Sequence, residues 1–366
     1  MGRIVDEYLM KKAKEKGIKI PEKPSKKDIE KRTQAYSGGF VSQPKAGLHE
    51  SVAVFDFDSI YPSIIVTYNI SPEISFWKSQ NDKGFIPEVI EELIEKRKKA
   101  KGKKKTELKL MANAMYGVIG QKRSRWYSHE CAEKITELGR KHVKDLAKEA
   151  EKIGEVIYSD TDSVFCITSR KKAEEFVDKF NKSLPGIMKI KLEDVYDKGL
   201  FVSHKNGGAK KRYALLKGNK MVIKGFEAVR KDWCDAAREM QKKVLLHILK
   251  GKQNEALKTT RMTIEKVKKG KISKNKLILR TMLSRKLSQY KVKAAHVKVA
   301  KEMKDMGYGD TVEYIITEGK GTITEKAKSV GKARNYDADY YINNQLIPAA
   351  LRVLGEFGYT KKDLTN

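Results

Sequence analysis

Tyr158-Ser159-Asp160-Thr161-Asp162-Ser163 sets two carboxylates two residues apart inside an apolar frame, Val156-Ile157 before and Val164-Phe165 after. β-Branched and aromatic residues on both sides read as strands and the polar centre as a tight turn, which puts both aspartates at the tip of a β-hairpin. A second apolar run ending in acid, Val52-Ala53-Val54-Phe55-Asp56-Phe57-Asp58, lies about a hundred residues upstream. Carboxylates gathered at strand ends call for a cation, and hard divalent ions such as Mg²⁺ take oxygen ligands and share them with phosphates. Asp is also an ordinary turn residue, so the hairpin alone leaves both readings open.

The 366 residues suffice for two or three domains on a size scale of roughly 100–200 residues each. With 40% hydrophobic and 34% charged residues, the composition is that of a folded chain rather than a disordered one. Residues 205–300 hold 28 Lys and Arg against 6 Asp and Glu, most of the net charge of +31. Such a block is a surface for a polyanion, because cations facing phosphates release counterions and supply non-specific affinity for nucleic acid. The competing explanation is the solvated surface of a high-temperature protein, in which Lys and Glu rise together; here Lys rises without Glu. Cys131, Cys166 and Cys234 stand alone, with no zinc spacing, as in a reduced, intracellular chain. Met1 to Asp6 has no apolar signal core, no run of about 18 apolar residues follows, and Asp6 is not the Ser or Thr of a myristoylation pattern. Neither secretion nor a membrane is expected.

Residues 1–45 begin with a helical pattern (Ile4, Val5, Tyr8, Leu9) and continue as a Lys- and Pro-rich connector. After Asp56 the chain turns at Ser59, which can cap a helix, so free amides of Ser59, Ile60 and Tyr61 are expected near the carboxylate. Pro87 opens a helix with an apolar stripe at Val89, Ile90, Leu93 and Ile94; Gly102 breaks it and Lys105 to Ile119 resumes it. From Lys96 to Lys109 this helical hairpin carries nine basic residues against Glu107 alone. Spacing sets Lys109, Asn113 and Tyr116 on one face of the second helix, and Arg97 with Lys101 on one face of the first. A helix is expected over 128–152 and another over 170–182. Short strand-like runs occupy 187–225, and from Asp232 the pattern is mainly helical, Gly-punctuated at 305–335, with a final helix near Asp339 to Phe357.

Taken together, these segments resemble the polymerase half of archaeal family B DNA polymerases. Asp56-Phe57-Asp58-Ser59-Ile60-Tyr61-Pro62-Ser63 is similar to that family's first motif, Lys109-Leu110-Met111-Ala112-Asn113-Ala114-Met115-Tyr116-Gly117 to its second and Tyr158 to Ser163 to its third. Tyr36-Ser37-Gly38-Gly39 and Lys210-Lys211-Arg212-Tyr213-Ala214 resemble two further elements, both DNA-binding in the family, and the likeness runs from near residue 4 to the C-terminus. It implies an α+β right-hand polymerase with an antiparallel-sheet palm, short helical-hairpin fingers and a mainly helical thumb. The corresponding divisions are a connector and start of the palm at 1–45, palm at 46–84 and 122–208, fingers at 85–121 and thumb at 209–366.

The resemblance further implies transfer of dNMP from a dNTP to a primer 3′-hydroxyl on primer-template DNA. Asp56 and Asp162 would hold two Mg²⁺ ions, with Asp160 a supporting carboxylate and Asp58, at a variable position, a non-ligand. Arg97, Lys101 and Lys109 would reach the β- and γ-phosphates, with Asn113 as a donor, and Lys109 is a candidate proton donor to the leaving pyrophosphate. Tyr61 resembles the family's sugar gate and Tyr116 lines the same pocket, although without the resemblance each reads as a plain core aromatic. Lys98, Lys99 and Lys103 to Lys105 read as a solvated helix face. Tyr36, Gly38 and Gly39 fit either template contact or a plain turn. Ala114 replaces the usual Ser of the second motif, and the segment between Lys101 and Lys109 is short for the family, which points to truncated fingers. No exonuclease motif and no clamp-binding tail is recognised, so the implied partners include an N-terminal, exonuclease-bearing polymerase chain and, through it, a sliding clamp. The setting implied is cytoplasmic and nucleoid-associated, within a split or truncated enzyme. A catalytically silent DNA-binding subunit is the alternative, supported by Ala114 and the short fingers; an RNA-making or reverse-transcribing enzyme is disfavoured by Tyr61.

Overall fold

The run that ends in acid forms β1 (Gly47–Phe57), and Val52, Ala53, Val54 and Phe55 in succession are buried. Continuous rather than alternating burial marks a strand covered on both faces. The computed structural model describes residues 2–32, 36–73, 83–204, 207–303 and 305–365, which fall into two units, Met1–Pro44 with Ser51–Val195, and Lys45–Glu50 with Tyr196–Asn366.

In the first unit β2 (Glu155–Asp160) and β3 (Ser163–Ile167) form the expected hairpin, and β3 also pairs antiparallel with β1, Phe55 opposite Val164 and Asp56 opposite Ser163. Helices α1 (Gly2–Glu15), α2 (Lys26–Lys31), α3 (Ile60–Thr67), α4 (Phe85–Lys99), α5 (Gly102–Gly120), α6 (His129–Ala150) and α7 (Arg170–Ser183) accompany these strands. Val5, Leu9 and Ala13 of α1, Val89, Ile90 and Leu93 of α4, and Phe176 of α7 join Ala53 and Phe55 in one core, where the Phe55 and Phe176 rings lie 5.0 Å apart. The α4–α5 hairpin corrects one expectation. α4 ends at Lys99, Ala100 is extended, and Lys101 is the residue that precedes α5. Lys101 therefore shares no helical face with Arg97; Gly102, at φ +56, supplies the left-handed conformation that reverses the chain.

In the second unit the second half of β4 (Ile190–His204), β5 (Gly207–Lys217) and β6 (Lys220–Lys224) make an antiparallel meander with longer strands than the short runs expected. β1 and β4 are strands whose residues are divided between the two units. α8 (Asp235–Leu249) and α9 (Gln253–Lys268) follow. The mainly helical expectation then missed a three-stranded antiparallel sheet of β7 (Leu279–Met282), β8 (Thr311–Ile316) and β9 (Ala327–Ser329). These strands are short and separated by long segments, among them α10 (Ala295–Glu302), so no period-2 run announces them. The terminal helix is interrupted by a π-helical stretch at Ile342–Leu346 before α11 (Ile347–Leu354); Pro348 has no amide to continue the ladder. Inside this unit Glu227, 1% exposed, is satisfied by Gln241 Nε2 at 2.7 Å and by Arg352 at 3.4 Å, as a buried carboxylate must be.

Phe55 ties the strand beneath Asp56 to the helical layer, so Phe55→Ala is expected to destabilise the protein by about 3–5 kcal/mol. Urea unfolding followed by circular dichroism measures it, and a loss under about 1 kcal/mol would contradict this account of the core.

Candidate active site at the strand ends

Antiparallel register brings the acids together. Asp56 on β1 and Asp160 on β2 both lie directly opposite Ser163 on the strand between them, so the three side chains share a face, the two acids about 10 Å apart across two strand spacings. Thr161 turns the hairpin at φ +61, an uncommon conformation for a branched residue. Its amide donates to the Phe40 carbonyl at 2.7 Å and the Asp162 amide donates to the Asp160 carbonyl at 2.6 Å. The Phe57 amide donates to the Asp162 carbonyl at 2.9 Å, which fastens the hairpin tip beside the end of β1.

The effect on Asp56 is electrostatic. Burial first, and then the negative charge of Asp162, push the Asp56 carboxyl up from 3.8 to about 6; Lys191 and Lys109 pull the other way and Glu193 adds to the rise. The Lys191 ammonium stands 3.7 Å from Asp56 Oδ1. Asp56 and Asp162 thus act on one another, whereas Asp160 Oδ1 accepts from the Thr161 hydroxyl at 3.0 Å. Among the described residues no group of three or more His, Cys, Asp or Glu side chains is gathered as for a metal ion. Two oxygen-donating side chains whose mutual repulsion raises a pKa are nonetheless a fitting donor set for Mg²⁺, which is commonly held by one or two carboxylates together with substrate phosphates.

Cations stand at the turn after β1. Arg97 Nη2 donates to Asp58 Oδ1 at 3.0 Å and Oδ2 at 3.3 Å, and its Nη1 to the Ser59 hydroxyl at 3.3 Å. Lys109 Nζ lies 4.0 Å from Asp58 Oδ1. Ser59 precedes α3 at φ 57, and its side chain makes no capping hydrogen bond; the expected cap is absent because the hydroxyl faces Arg97. No side chain therefore caps the first turn of α3 at Ile60 and Tyr61, the positive end of the helix. Lys101 and Asn113 are exposed.

Tyr61 is held between two glycines. A Cβ on Gly39 would fall 2.9 Å from the Tyr61 hydroxyl and from Thr161 Cγ2, and one on Gly139 would fall 3.1 Å from Tyr61 Cε1. The Tyr116 ring lies 4.4 Å from that of Tyr61 at 33°, and its hydroxyl donates to that of Tyr36 at 3.4 Å. Burial raises the phenol pKa of both Tyr61 and Tyr116; Asp162 raises that of Tyr61 further, and Arg140 opposes the rise in both. Arg140 also donates to the Ser37 and Gly38 carbonyls at 2.6 and 3.0 Å, holding the Tyr36 to Gly39 segment in place. Arg140 and Lys191 are the site residues that sequence reasoning missed. Lys189, Lys191 and Glu193 alternate with the buried Met188 and Ile190, a period that marks a solvent-facing strand side but gives no sign of Asp56 nearby.

The Lys210 to Tyr213 element lies on β5 of the second unit. Lys210 and Lys211 are exposed, whereas Tyr213 is 8% exposed with its ring stacked on Phe201 at 5.4 Å. Arg212 Nε donates to the Gly225 carbonyl at 3.2 Å. No helix among the described residues is long and apolar enough to cross a membrane.

The profile described as DNA polymerase family B matches residues 3–74 and 72–357. The DNA polymerase of Thermococcus gorgonarius is 35% identical over 412 residues, covering 99% of this chain and 52% of the relative. DNA polymerase 1 of Pyrococcus abyssi is 36% identical over 412 residues, covering 99% and 53%. Among solved structures, that of the family B DNA polymerase from the hyperthermophilic archaeon Pyrobaculum calidifontis is similar with a TM-score of 0.70 at 33% identity, covering 98% of this chain and 51% of that one. These relatives are all DNA polymerases, of archaeal source. The chain belongs to DNA polymerase family B, and it spans about half the length of the relatives it matches.

Without metal, the Asp56 carboxyl is expected to titrate near 6 in carboxyl-resolved NMR, and Asp162→Asn to bring it down, burial keeping it above the ordinary value. Because the folded-state pKa is raised, this group's contribution to stability is whole below 3.8 and is lost as pH rises through about 6. An Asp56 titration unaltered by Asp162→Asn would separate the two carboxylates.

Proposed function

We propose that this chain is the polymerase part of a DNA-directed DNA polymerase, moving dNMP from a dNTP onto a primer 3′-hydroxyl on primer-template DNA. The observation that carries the reading is the convergence of Asp56 and Asp162 at strand ends, with Arg97 and Lys109 at the adjoining turn, in a chain of this family. Residues 46–84 and 122–208 serve as palm, 85–121 as fingers and 209–366 as thumb, led by the connector at 1–45. The basic block at 205–300 supplies the grip on the duplex backbone.

Asp56 and Asp162 hold the Mg²⁺ ions, and Asp160 supports the primer side from the outer strand. When bound, such ions lower the pKa of an attacking hydroxyl and offset charge on the phosphates. Asp56 must be ionised for this, and a bound cation would favour its ionised form. Arg97, Lys101, Lys109 and Asn113, with the amides at Ser59, Ile60 and Tyr61, bind the triphosphate, charge-assisted bonds being the strong ones. Lys109 would give a proton to the departing pyrophosphate. Tyr61, wedged between Gly39 and Gly139, fills the volume a ribose 2′-hydroxyl would need, with Tyr116 behind it. Tyr36, Gly38 and Gly39 lie on the template side.

The chain matches about half the length of its relatives, and this reading makes it one part of a split or truncated enzyme. We favour an exonuclease-bearing N-terminal partner, which would also bring the clamp contact.

Primer extension tests the reading. With dNTPs and Mg²⁺, alone or with the N-terminal half, the chain is expected to extend a primer; Asp162→Ala is expected to cut the rate at least about 10³-fold, comparable to removing a principal electrostatic group, while DNA affinity stays nearly constant. Full activity in that variant would remove the assignment. Tyr61→Ala is expected to raise ribonucleotide incorporation relative to deoxyribonucleotide, and an unchanged ratio would return Tyr61 to the role of a packed aromatic.

A further inference from the structure

We infer that the Asp58 carboxylate is a built-in phosphate stand-in: it occupies the cations that receive the nucleotide's phosphates, and an incoming triphosphate must displace it. The inference rests on the nucleotide reading given above. Asp58 was expected to be a bystander. Instead its two oxygens take Arg97 Nη2 at 3.0 and 3.3 Å, and Lys109 stands 4.0 Å away. A guanidinium nitrogen that donates to a carboxylate can donate to a phosphate by the same charge-assisted bond. The occupied position is also the one an anion prefers, because Asp58 sits just before the uncapped start of α3.

The backbone of Asp58 is pinned on both sides. Its amide donates to the Lys189 carbonyl at 2.9 Å, and its carbonyl accepts from the Ser63 hydroxyl at 3.0 Å. The motion available is therefore rotation of the side chain alone. That side chain is 46% exposed, so water is at hand to take the carboxylate once it leaves Arg97. An ion pair so exposed is weak, on the order of 1 kcal/mol or less, a roughly fivefold effect, and a polyvalent triphosphate outcompetes it. Asp58 thus keeps the Arg97 guanidinium oriented before nucleotide arrives, at a small cost in nucleotide affinity.

Calorimetric titration of the full chain with inorganic tripolyphosphate and with dATP, both with Mg²⁺, tests this. Asp58→Asn and Asp58→Ala are each expected to tighten binding of both probes by about two- to fivefold. Arg97→Ala is expected to weaken binding, and most of the gain from Asp58→Asn to vanish in the Arg97→Ala background. In primer extension Asp58→Asn is expected to lower KM for dNTP more than it changes kcat. Glu95→Gln removes one negative charge from α4 without freeing Arg97 and is expected to change little. Unchanged or weaker binding in both Asp58 variants would overturn the inference and make Asp58 an anchor for Arg97, as would an equal gain from Glu95→Gln. In either case weaker binding by Arg97→Ala leaves the nucleotide reading standing. Binding unaffected by both Arg97→Ala and Lys109→Ala would overturn that reading, and the inference with it.

Discussion

Two carboxylates held together against their own repulsion organise this site. Asp56 and Asp162 are brought side by side by backbone pairing, through the register of β1 on β3 and the bond from the Phe57 amide to the Asp162 carbonyl. Backbone hydrogen bonds in a sheet buried on both faces have no competing water, so they can impose a juxtaposition that the charges oppose. Burial first, and then the charge of Asp162, raise the Asp56 carboxyl to about 6. What surrounds the pair answers that excess of negative charge: Lys191 beside Asp56, and Lys109 with Arg97 at the next turn.

The polar site depends in turn on close packing behind it. Tyr61 reaches its position because Gly39 and Gly139 leave room for its ring and hydroxyl, and Tyr116 covers it. Arg140 holds the Tyr36 to Gly39 segment by two backbone carbonyls, so a single guanidinium links α6 to the glycine loop and to the phenols. A side chain wedged this way has little freedom to move.

Much of this was legible along the chain. Apolar runs ending in acid are strands that stop where water begins, so Asp56 and the 158–163 hairpin could be placed by local chemistry. Helical spacing likewise set Lys109 and Tyr116 on one face. It failed at Lys101, where Ala100 is extended and the helix has already ended, and at Ser59, whose hydroxyl turns to Arg97 in place of the cap. The stacking of Tyr213 on Phe201, within a basic element, was likewise not legible, because it depends on the pairing of β4 with β5. The sheet of β7, β8 and β9 escaped because strands of three to six residues carry too few alternations to be told from loops.

The sequence by itself determined the family, the strand-end acids and the basic character of the chain, because those follow from residue type and spacing within short segments. The tertiary structure decided which charges meet. That Lys191 neighbours Asp56, that Asp160 sits a strand further out, and that Asp58 rather than open solvent faces Arg97 are consequences of register and helix placement between residues 39 to 135 positions apart. Coulombic energy depends on distance in space and on burial, and neither is written in the order of residues.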